Sequence, residues 1–317
     1  MKKLGRKFGA YPANADASFW QNLSELRCLI RYETLKNEVT CTPTDHQIIR
    51  PMKGQELCDE GVKYVKNGQN PEMAYTQVHY LKGYFLLHFL CDAAGGEENF
   101  FAFLRHYAHD LYHGKLVHST DFLRLYFETF ADTFNQKTVQ ENIDDICRTW
   151  LDTEILPAHI AEKCQRINNP LLTQVKKMSQ TFLTLKRKSK ESGKVGALLP
   201  EQMILFLEEM IKNAEKLSLP CQRRLMSSLS SQIKFSECNA DIQHRWCELI
   251  VLFDFKTQFS FINNFLREHQ AMGVYLYSEM MMSQNDELKK MAKNIFDEIS
   301  WELDTNTREN VQNMLLH

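Results

Sequence analysis

An all-α protein is the fold class this sequence predicts, on three observations. Apolar residues recur at helical spacing through most of its 317 residues. Alternating Val/Ile/Thr runs of useful length, the mark of half-buried strands, are not found. The breaks between periodic stretches carry helix start and stop signals: Ser/Thr/Asp or Pro at starts, Gly or Pro at ends.

Taken in order, Phe19 to Val39 sets Leu23, Leu26, Ile30 and Leu35 on a helical face and stops before the turn-like 41–45. Around Pro51 to Gly54 the pattern lapses into a loop and returns after Asn70-Pro71. Tyr80 to Cys91 reads as an apolar helix stopped by Gly95-Gly96, and Phe100, Phe103, Tyr107 and Leu111 trace a second, ended by Gly114. These two are expected to form a hairpin. Ser119-Thr120-Asp121 offers N-cap oxygens to a third helix. Thr138-Val139-Gln140-Glu141 has the form of a capping box opening a fourth through Trp150, and Pro157 closes the block. A helix over 170–185 precedes a Lys/Arg/Ser/Gly stretch at 186–196, read as a surface loop. Pro200 then opens a helix with a buried stripe of Ile204, Leu207, Ile211 and Ala214. Amphipathic segments follow near 220–233, 240–253, 256–269, 271–282, 286–302 and 305–316. Short helices joined by short turns point to stacked helix pairs, as in armadillo or HEAT arrays, although no strict repeat is visible.

Composition narrows the function classes. The chain is 44% hydrophobic and 25% charged, enough to bury a core, and its formal net charge of -2 gives no electrostatic reason for nucleic acid as a main partner. No run reaches the ~18 apolar residues of a membrane-spanning helix. Nine scattered cysteines with no C-x-x-C spacing suggest reduced thiols rather than a disulfide framework, and the N-terminus lacks a secretory apolar stretch. A cytoplasmic protein is expected. Its basic first 15 residues also resemble a transit peptide, but Gly5, Gly9 and Pro12 spoil an amphipathic helix there. Lys186-Arg187-Lys188-Ser189-Lys190 admits two readings, a nuclear or nucleolar address and a solvated loop.

The stretch from Ala74 to Leu87 carries a resemblance. An Ala-Tyr-x-x-Val-x-Tyr-x-Lys-Gly segment opening an apolar helix, with Gly-Gly about a dozen residues on, is similar to the active-site tyrosine segment of the zinc aminopeptidases of peptidase family M1, leukotriene hydrolase branch. Phe100 to Tyr107, Ser119 to Phe122, Trp150-Leu151 and Leu156-Pro157 continue the similarity in the same order. Leu26 to Leu29, Cys41-Thr42-Pro43, His244 to Ile250 and Gln270 to Tyr277 resemble the aminopeptidase O subgroup. The resemblance covers residues 23–317 and leaves 1–22 unmatched. It implies a helical lobe of a metallopeptidase catalytic domain over 23–156 and an armadillo-like C-terminal domain over 157–317.

By the same resemblance, Tyr80 would be the hydroxyl that stabilises the oxyanion during peptide hydrolysis, and Tyr75 its neighbour on the pocket wall. On residue type alone, both are equally aromatic residues at a core edge. The family's zinc ligands lie in a His-Glu-x-x-His helix with a downstream Glu, and no His-Glu dipeptide occurs in this sequence. The expectation is therefore a C-terminal portion or short isoform of a peptide-cleaving zinc enzyme, binding no zinc itself and inactive alone. The rival expectation is a non-catalytic helical stack that binds a protein or peptide partner on its concave face.

Three further features have two readings each. His106, His109 and His113, with His118 nearby, share a helical face and could take a metal, or are simply exposed histidines, with Asp110 placed off their stripe. Met280-Met281-Met282 with Tyr275 and Tyr277 suit a soft binding surface or adaptable core filling. The resemblance places an Arg and a Lys of leukotriene hydrolase, which grip its substrate carboxylate, at the stretch that reads Gln270-Ala271-Met272-Gly273-Val274-Tyr275 here. Neither cation is present, so that lipid activity is not expected.

Overall fold

The structure is a computed structural model that describes residues 11–12, 14–41, 44–49, 77–184, 195 and 198–316. The described residues are helical with no strand among them, so the all-α expectation holds. They divide into two compact units, one made by residues up to Ile30 together with Ile167 onward, the other by Arg31–Arg166.

The Arg31–Arg166 unit takes the second part of α1 (Ala17–Cys41), then α2 (Gln77–Ala93), α3 (Glu97–Arg105), α4 (Ser119–Thr129), α5 (Val139–Ile146) and α6 (Ala158–Arg166). The turn between α2 and α3 needs glycine: Gly95 and Gly96 adopt φ of 85° and 110°. The Gly96 N–H reaches back to the Cys91 carbonyl at 3.0 Å and closes the helix. Thr138 and Glu141 form the expected capping box, the Thr138 N–H donating to the Glu141 carboxylate at 2.7 Å. At α4 the expectation shifts by one residue. Ser119 is already helical and His118 precedes it, with the Asp121 carboxylate accepting the His118 N–H at 3.0 Å.

Both α3 and α5 end in a widened π turn, over His106–Leu111 and Cys147–Leu151, closed by i→i+5 bonds from Tyr112 to Tyr107 and from Asp152 to Cys147. Helix α6 has no counterpart in the sequence reading, which ended the block at Pro157. The core between α2, α3 and α4 is aromatic. Phe100, Phe103, Phe127 and Tyr126 are buried, and the Tyr126 hydroxyl donates to the Leu90 carbonyl at 2.7 Å. Burial raises the pKa of that phenol strongly, so it stays a donor.

In the other unit, the first part of α1 is followed by α7 (Pro170–Leu183), α8 (Pro200–Lys212), α9 (Leu219–Gln232), α10 (Ala240–Leu252), α11 (Phe259–Glu268), α12 (Val274–Met282), α13 (Asp286–Ile299) and α14 (Thr305–Leu316). Every segment expected after Pro200 is a helix at nearly its expected place. Helix α8 packs on α7 and α10, α10 on α12, and α12 on α14, while α11 packs on α13. That alternation is what stacked helix pairs produce. Gly273 allows the close approach before α12, since a Cβ there would lie 2.4 Å from the Leu266 side chain.

Helix α8 is buried all round from Glu201 to Glu208, which corrects the single stripe drawn for it from sequence. Its polar residues are therefore paired. The Gln202 amide donates to the Leu171 carbonyl at 2.9 Å and accepts the Leu199 N–H at 3.0 Å. Glu201 accepts from Arg27 Nε at 2.9 Å and from the Tyr11 hydroxyl at 2.9 Å. Glu208 meets Arg245 Nε of α10 at 2.6 Å, and Arg245 Nη1 donates to Glu248 at 2.6 Å.

Glu279 of α12 adds a third carboxyl to this buried group. Burial and the neighbouring Glu248 push its pKa up to about 8, with Arg245 opposing. The folded chain thus keeps a proton on Glu279 at a pH where the unfolded chain, ionising near 4.5, has lost it. Stability tied to this group is full below the unfolded value and falls as pH rises toward the folded one. Glu279→Gln removes the charge that must be buried, so its Tm should exceed wild type at pH 8.5 and the gap should close toward pH 5, as read by circular dichroism melts.

Candidate active site

Helix α2 presents two faces. Val78, Leu81, Lys82, Phe85, Leu86 and Leu90 are buried, whereas Tyr80 is 76% exposed and Leu87, two turns on, 45% exposed. Gly83 stands between them, and a Cβ there would meet nothing within 4 Å. Space is therefore open along the Tyr80–Gly83–Leu87 edge, where an extended chain could approach the helix backbone. The Tyr80 hydroxyl has no hydrogen-bond partner among the described residues. A phenol so placed can donate to an oxygen that gains negative charge. An exposed hydroxyl is equally what an aromatic residue reaching water at the edge of the core presents. Tyr75 lies outside the described residues.

Lys82 fixes the rotation of this helix. Its side chain is fully buried, and its ammonium donates to the Thr153 carbonyl at 2.6 Å and to the Gln47 carbonyl at 3.2 Å. Desolvation pulls its pKa down to about 8, with Glu154 opposing. One turn along, the Arg31 guanidinium lies 4.4 Å from the Tyr84 ring centroid and the Tyr84 and His88 rings are 4.4 Å apart. His88 is held below its usual pKa, first by burial and then by Lys163. Sequence reading singled out neither Arg31 nor His88. The Arg31–Tyr84 contact joins α1 to α2 across a long separation in sequence, and no local spacing signals it.

The remaining candidates separate. His106 and His109 both face Asp110, at 3.0 and 2.9 Å from Nδ1, and these two contacts hold the carboxyl of Asp110 below its ordinary pKa. The sequence reading put Asp110 off the histidine stripe, yet it follows His106 by four residues, so one helical turn joins them. Among the described residues no three His, Cys, Asp or Glu side chains converge so as to hold a metal ion. The methionines divide, Met280 lying in the core and Met282 79% exposed. In the 270–275 stretch, Gln270 donates to the Glu302 carboxylate at 3.0 Å. Lys186–Lys190 lies outside the described residues. No helix among the described residues is long and apolar enough to cross a membrane.

Residues 198–315 match the family model described as leukotriene A4 hydrolase, C-terminal. This is the helical stack from α8 to α14, and with the matches below it relates the chain to the leukotriene hydrolase branch of peptidase family M1, in its C-terminal portion. Within that branch, aminopeptidase O parallels nearly the whole chain. Identity to the Homo sapiens protein is 34% over 300 residues, 92% of this chain and 35% of the relative. Identity to the Rattus norvegicus aminopeptidase O is 33% over 302 residues, 92% and 36% of the two chains. Aminopeptidase B of Mus musculus is 23% identical over 255 residues, 79% of this chain and 38% of that one. The chain spans about a third of the length of the aminopeptidase O relatives it matches.

Lys82→Met keeps much of the buried volume but leaves two carbonyls without their donor. The expected loss is on the order of 1–3 kcal/mol for each carbonyl that stays dry, seen as a lower urea midpoint. An unchanged midpoint would show that the lysine does not pin the helix.

Proposed function

We propose that the chain is the C-terminal portion of a zinc aminopeptidase that removes N-terminal residues from peptides. In this reading residues 23–156 form the helical lobe of the catalytic domain, and 157–317 an armadillo-like domain walling the substrate cleft. The observation that carries the reading is Tyr80, held outward on α2 beside the open Gly83 edge, its hydroxyl without a hydrogen-bond partner among the described residues. Similarity to aminopeptidase O over 92% of the chain supports it.

Tyr80 would donate a hydrogen bond to the substrate carbonyl oxygen as that oxygen becomes negative, a contact stronger in the transition state than in the ground state. Tyr75 would stand beside it. The described residues do not fit a zinc site, and no His-Glu dipeptide occurs in the sequence. The metal ligands would therefore have to come from outside residues 1–317, and the chain alone would be inactive. A cytoplasmic location, with Lys186–Lys190 as a nuclear address, belongs to the same proposal.

The test is zinc content and aminopeptidase turnover, measured on the chain alone and joined to any upstream His-Glu-x-x-His segment of its gene. The expected outcome is zinc and turnover only in the joined form, with Tyr80→Phe lowering kcat there by roughly a hundredfold or more. Zinc-dependent turnover by the chain alone would contradict the reading. Full activity of Tyr80→Phe would remove the tyrosine's role, and no activity in either form would favour a peptide-binding helical stack.

A further inference from the structure

Three aromatic rings meet at the start of α1, in the unit that does not carry Tyr80. The centroids of Tyr11 and Phe19 are 6.4 Å apart and their planes cross at 70°. For Tyr11 and Trp20 the values are 5.5 Å and 52°, and for Phe19 and Trp20 they are 5.4 Å and 84°. Tyr11 and Trp20 nonetheless stay 37% and 46% exposed, so the cluster keeps a wet side.

Its walls are held by polar contacts behind them. The Tyr11 hydroxyl donates to Glu201 of α8 at 2.9 Å and accepts from Arg27 Nη2 at 3.2 Å, which fixes that ring from its polar end. Asp16 orients the other two residues, its Oδ1 accepting the Phe19 N–H at 2.8 Å and its carbonyl the Trp20 N–H at 3.2 Å. Arg27 does not fill the corner. It is bound to the Tyr11 hydroxyl and lies 6.0 Å from that ring's centroid, and Glu201, at 2.8 Å, neutralises it.

Spacing and tilt are those of a corner rather than a stack. A cation lying about 4–4.5 Å from three ring faces at right angles, inside the roughly 6 Å reach of cation–π attraction, requires centroids about 5.5–6.5 Å apart. The observed 5.4–6.4 Å meets that requirement. Charge points the same way, because the roughly half positive charge at the start of a helix is outweighed by the full negative charge of the exposed Asp16 carboxylate.

We propose that Tyr11, Phe19 and Trp20 form an aromatic cage for a quaternary ammonium group, with Asp16 as its counter-charge. Such a group donates no hydrogen bond, so ring faces and a nearby negative charge are all it needs. A primary ammonium would have to exchange its water for rings that offer its protons no good acceptor. The site lies within one unit and does not depend on the aminopeptidase reading.

Heteronuclear NMR of the indole N–H groups of the full chain, which has four tryptophans, tests this together with calorimetry. The probes are choline against neohexyl alcohol, its uncharged isostere, and Nα-acetyl-trimethyllysine amide against Nα-acetyl-lysine amide. Choline should shift the Trp20 signal, identified by its loss in Trp20→Ala, and bind at least about fivefold more tightly than the alcohol, as a cation over several ring faces does. Trp20→Phe, which keeps a ring face, should retain most of the binding that Trp20→Ala loses. Asp16→Asn, which still caps α1, should weaken choline and leave the alcohol unchanged. Tighter binding of the trimethyllysine than of choline assigns the cage to a modified peptide side chain, and the reverse to a free small cation; either supports the proposal. No shift with any probe, equal binding of choline and its isostere, or shifts confined to another tryptophan would overturn it.

Discussion

The buried ammonium of Lys82 is the constraint on which the Arg31–Arg166 unit turns. A fully buried cation is tolerable only where acceptors receive its hydrogen bonds, and here two carbonyls far apart in sequence do so. That requirement fixes which face of α2 points inward. With Lys82 inside, Val78 and Phe85 follow it into the core, and Tyr80, two residues earlier on the helix, is turned out. The aromatic core beneath, with Tyr126 tied to the α2 carbonyl of Leu90, holds the helix along its length. The exposure of Tyr80 is thus a consequence of what the lysine needs.

The unit that carries α8 to α14 meets the same physical problem with a different result. Its central helix is enclosed on every side, so the glutamates it carries must find partners inside the protein. Arg27 and Tyr11 meet Glu201, and Arg245 meets Glu208. Around Arg245 the carboxyls outnumber the cations, and the excess opens into a cavity. A buried ion pair left with surplus charge contributes little to stability on its own.

Local chemistry was legible in the sequence. The Thr138–Glu141 box, Pro200 at the first turn of α8 and Gly95-Gly96 after α2 each act within a few residues, and each marks its helix end in the structure. The motif singles out Tyr80 but does not show its exposure, because that depends on Lys82 reaching Gln47 and Thr153. Helix α6 went unseen because nine residues after a proline carry too little periodicity to stand out. The full burial of α8 and the acidic cavity depend on neighbours from other helices, and no spacing along one segment encodes them.

The central claim is that Tyr80 acts on a charge that develops during reaction, and inhibitor affinity tests it most directly. In a zinc-loaded form joined to its upstream segment, the affinities of a phosphinic peptide, which mimics the tetrahedral species, and of an uncleaved peptide are compared between wild type and Tyr80→Phe. The account predicts a loss of roughly tenfold or more for the phosphinic peptide and none for the uncleaved one. Equal losses for both, or no loss for either, would contradict it.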